Sequence, residues 1–72
     1  MTNTELLEPY IEASGLKKEY IAKEIGLDYR TFKNRLDNVT EFKASEIEKL
    51  CRLLKITKLT ERQKIFFAQK VE

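Results

Sequence analysis

The 72-residue chain has no histidine and no tryptophan, one cysteine, one proline and two glycines. Each shortage excludes something. With no His, no Ser-centred nucleophile motif and no glycine-rich phosphate loop, the usual catalytic constellations have nothing to be built from. The lone Cys51 cannot close an internal disulfide. It falls at helical spacing with Ile47, Leu50 and Leu54, as expected of a buried structural thiol. So few glycines and prolines leave no room for a flexible linker. The longest apolar run, Ile65–Ala68, is far too short to cross a bilayer, and no signal-peptide pattern opens the chain. The expectation is a protein that is not an enzyme, with no cofactor, no metal, no small-molecule ligand and no membrane contact.

Charge and apolar content are plentiful instead: 36% of residues are charged and 42% hydrophobic. That balance suits a folded helical domain rather than a disordered tail. The length allows one domain spanning residues 1–72, which buries only ~60% of its unfolded surface. Many carboxylates have a base at helical spacing, as in Glu19–Lys23 and Glu48–Arg52, so solvated ion pairs explain them better than acid–base catalysis. The net charge is only +2, but it is unevenly placed. Before Lys17 stand Glu5, Glu8 and Glu12 and no base, giving −3. From Lys17 to Lys43 the balance is +2, and the remainder carries +3.

Periodicity and punctuation predict four or five short helices and no strand. Thr2 and Glu5 are spaced as a capping box for a first helix with Leu6, Leu7, Tyr10 and Ile11 as its apolar stripe. That helix ends at Gly15, with Pro9 either bending it or sitting in its first regular turn. A second helix runs from about Lys17 to Ile25 over Ile21, Ala22 and Ile25, and Gly26 ends it. Leu27 plugs the corner, and Asp28 is the N-cap of a third helix, Tyr29 to Leu36. After the polar loop Asp37–Lys43, with Phe42 closing the core, Ile47, Leu50, Cys51 and Leu54 mark a fourth helix. Thr60 and Gln63 are spaced to cap a fifth, anchored by Ile65, Phe66 and Phe67. The expected core includes Leu6, Tyr10, Ile21, Phe32, Leu36, Leu50 and Leu54.

The third helix has only two firm apolar positions, Phe32 and Leu36, so most of its circumference faces outward. The outward set is Tyr29, Arg30, Lys33, Asn34 and Arg35, the last within reach of Asp37 or Glu41 as a solvated ion pair. Two short helices joined through a glycine, the second capped, basic and thinly striped, make a helix-turn-helix pattern at about residues 17–36. A helix that enters a major groove must anchor by one edge and offer donors to base edges, while nearby cations neutralise phosphates.

The stretch "LKKEYIAKEIGLDYRTFKNRL" resembles the lambda-repressor-like, Cro-type helix-turn-helix of temperate phages. Ile21-Ala22, Ile25-Gly26-Leu27, Asp28 and Thr31-Phe32 fall in its register. "EFKASEIEKLCRLLKI" followed by "LTERQKIFF" is similar to the small regulators of phages of Gram-positive bacteria. The likeness runs from Leu6 to Phe67, and only the loop "DNVTEF" departs by lacking a glycine common there. The resemblance implies an all-α, compact four- to five-helix lambda-repressor-like DNA-binding domain in the bacterial cytoplasm. It implies that Tyr29, Arg30, Lys33 and Asn34 face bases or a partner and that Lys18 touches a phosphate or base. It further implies that Lys17, Thr31, Asn38 and Lys43 line the backbone.

Two functions follow from that resemblance. The opening "MTNTELLEPYIEASGLKKEY" and the closing "IFFAQKVE" are similar to the modulator-of-repression proteins found beside lactococcal phage repressors. Those are antirepressors that complex the repressor, here expected through its N-terminal DNA-binding domain. Such a partner would be met by the basic surface, or by the acidic strip of Glu5, Glu8 and Glu12. The alternative is a Cro-like repressor that binds operator DNA directly. The mild charge balance leans toward the protein partner, because a single weakly basic module binds DNA weakly and loses affinity steeply with salt.

Overall fold

Five α-helices account for the fold of the computed structural model, which describes residues 1–67: α1 (Thr4–Ser14), α2 (Lys18–Glu24), α3 (Tyr29–Leu36), α4 (Ala44–Leu54) and α5 (Leu59–Phe66). No strand occurs among the described residues, and no helix there is long and apolar enough to cross a membrane. Residues 68–72, which end the "IFFAQKVE" segment, lie outside them.

Leu7 and Ile11, one turn apart, place α1 against α4 and α5. Leu6 is therefore not core: at 40% exposure it stands a third of a turn away from that stripe. The adjacent apolar pairs 6–7 and 10–11 allowed either register, and the deeper one uses Leu7 and Ile11, with Tyr10 packed at the edge. Pro9 lies inside α1, which continues on both sides of it, although an interior proline typically costs ~3 kcal/mol or more.

The cap of α1 also differs from expectation. Asn3, not Thr2, accepts the Leu6 N–H at 3.3 Å. Thr2 is instead drawn into the interior, 3% exposed, because both polar groups of its main chain bond to Asn38.

α2 packs against α3 and α4, burying Ile21 and Ala22. The corner that follows is built as its residues predict. Gly26 has φ +84°, and a Cβ built there meets nothing within 4 Å, so conformation rather than space selects glycine. Phe32 is fully buried and meets Phe42 edge-to-face, with ring centroids 6.1 Å apart, and Phe42 meets Phe66 in the same way at 5.7 Å. Leu50, Cys51 and Leu54 complete the core from α4, where burial pushes the Cys51 thiol pKa up.

α5 starts earlier than the Thr60–Gln63 spacing suggested. Lys58 is its N-cap, without a side-chain bond, and Arg62 Nε donates to the Ile56 carbonyl at 2.9 Å, tying the first turn to the preceding loop. Ile65 and Phe66 are buried, but Phe67 is 59% exposed and does not anchor the helix.

Candidate functional site

α3 begins on a hydrogen bond that its sequence specifies. The Asp28 carboxylate accepts the Thr31 N–H at 2.7 Å, and that bond holds its pKa below the ordinary carboxylate value. One edge of α3, Phe32 and Leu36, goes into the core. The other presents Tyr29, 43% exposed, with Arg30 and Lys33 also exposed and Asn34 half-buried. The Asn34 carbonyl receives the Val39 and Thr40 N–H groups, which end the helix, and its side-chain amide has no hydrogen-bond partner among the described residues. Lys17, just outside α2, is exposed as well.

Three residues expected on this surface are occupied elsewhere. Arg35 is not a solvated side chain beside Asp37 or Glu41. It is 9% exposed and forms a bidentate pair with Glu46, Nε to Oε1 at 2.8 Å and Nη2 to Oε2 at 3.2 Å. Its Nη1 donates to Thr40 Oγ1 at 2.7 Å, and Glu46 Oε1 also accepts the Lys43 N–H. The bond from Arg35 lowers the Glu46 pKa against the opposing push of burial, and the same bond raises that of Arg35. A charge this far from water needs such a complete set of partners.

Asn38 does not stand ready for a phosphate either. Its Oδ1 accepts the Thr2 N–H at 2.8 Å and its Nδ2 donates to the Thr2 carbonyl at 2.9 Å, with φ +61° at Asn38 itself. Asparagine tolerates this left-handed backbone better than most residues. Lys18 is engaged with Glu8 Oε2 at 3.2 Å, an ion pair that joins α2 to α1.

The acidic strip of α1 is split by that same pair. Glu8 is half-buried and neutralised by Lys18, whereas Glu5 and Glu12 are exposed and have no ion-pair partner among the described residues. Sequence reasoning missed Glu46 and Thr2 as the residues that lock the end of α3. The one local signal was the spacing of Glu46 from Lys43, which fits a carboxylate reaching back to the start of α4.

No protein-family model, curated protein or solved structure matches the chain. The surface must therefore be judged by its chemistry. Without an internal partner among the described residues are Lys17, Tyr29, Arg30, Lys33 and Asn34: three cations, one amide and one aromatic ring. They are equipped for hydrogen bonding and for packing against a partner.

A separate shallow hollow of about 530 Å³ lies between α4 and α5, with Ile47, Leu59 and Phe67 among its lining residues. Its two charged lining residues are of opposite sign and both are engaged within the chain, Glu48 with Arg52 and Arg62 with Ile56.

Proposed function

We propose that this protein is an antirepressor of a phage genetic switch. It binds the DNA-binding domain of its cognate repressor, blocks operator binding and favours the lytic cycle. In this reading α2, the Gly26–Asp28 corner and α3 are a helix-turn-helix kept as a fold while its surroundings serve protein contact. The protein acts by binding, not catalysis, in the bacterial cytoplasm.

The observation that carries the reading is the loss of Lys18, Arg35 and Asn38 to internal partners. Of the cations expected at this surface, Lys17, Arg30, Lys33 and Lys43 remain exposed. At most four phosphate contacts correspond to a salt slope of only about −4, far shallower than that of a dedicated operator binder. Tyr29 beside Arg30 is the residue chemistry that dominates protein interfaces. Direct operator binding through the exposed edge of α3 is the second reading, favoured by the Asn34 amide and Lys33, which suit base edges.

Gel filtration of the protein mixed with its intact cognate repressor tests the proposal. Co-elution at micromolar concentration, with loss of the repressor's operator shift, is the expected result. Separate elution and an unchanged shift would remove it.

A further inference from the structure

We draw no further inference here: the strongest candidate, the shallow hollow between α4 and α5 bordered by the exposed side chains of Leu59 and Phe67, is an unpartnered apolar face, and nothing in the structure shows what covers it.

Discussion

At its first turn α3 is capped by one exposed side-chain hydrogen bond, from the Thr31 N–H to Asp28, and its side chains Tyr29, Arg30 and Lys33 are exposed. At its last turn, Arg35 is clamped to Glu46 and Thr40, the Leu36 carbonyl receives the Thr4 hydroxyl, and Asn38 holds Thr2. One eight-residue helix thus has a presenting end and a fixed end. The fixed end uses residue types that, read from composition, belong to a binding surface. Cations and amides near a helix-turn-helix pattern are therefore poor measures of DNA affinity until their internal partners are known.

Substitutions at the two ends should separate them. The largest effect is expected from Glu46→Ala, which strands Arg35 as a buried unpaired charge. Removing one member of such a pair costs ~3–5 kcal/mol, readable by urea unfolding. The double variant Arg35→Met with Glu46→Leu should recover most of that loss, since a well-packed apolar pair often replaces a buried ion pair without penalty. Next comes Asn38→Ala, which deletes both bonds to the Thr2 main chain and places alanine at a positive φ; about 2 kcal/mol is expected by the same measurement.

Acid should act on both ends with the same sign. The Glu46 and Asp28 carboxyls are held below their ordinary values of 4.5 and 3.8. Their contribution to stability is therefore complete above those values and is lost as pH falls through the lowered folded ones. An unfolding midpoint followed from pH 6 to pH 2 should fall less steeply in the Arg35→Met, Glu46→Leu variant than in the parent. Asp28→Ala should cost less than either change at the fixed end and should also flatten the lowest part of that profile. The smallest effect is expected at the presenting end: Arg30→Ala with Lys33→Ala should change stability by no more than about 0.5 kcal/mol.

What could be read from the sequence follows the same division. The Gly26 corner, the Asp28 cap and the Phe32–Leu36 stripe depend on neighbours within a turn or two and are found as expected, and the five helices fall within the four or five anticipated, with the α1 cap and the α5 start displaced. The locks were not legible because they join residues distant in sequence. Arg35 and Glu46 are 11 positions apart on different helices, and Thr2 and Asn38 are 36 apart. Leu6 was misplaced for a different reason: neighbouring leucines at 6 and 7 fit the periodicity equally, and only packing on α4 and α5 chooses Leu7. Of the candidate surface, Tyr29, Arg30, Lys33 and Lys17 are exposed as expected and Asn34 is half-buried.

An operator mobility shift with the protein and the repressor, separately and together, at two salt concentrations bears most directly on a partner that is protein rather than DNA. The expected result is a shift by the repressor alone, its progressive loss as this protein is added, and no sequence-specific shift by this protein alone at either salt. A specific shift made by this protein alone, abolished by Lys33→Ala with Asn34→Ala and indifferent to repressor, would contradict it.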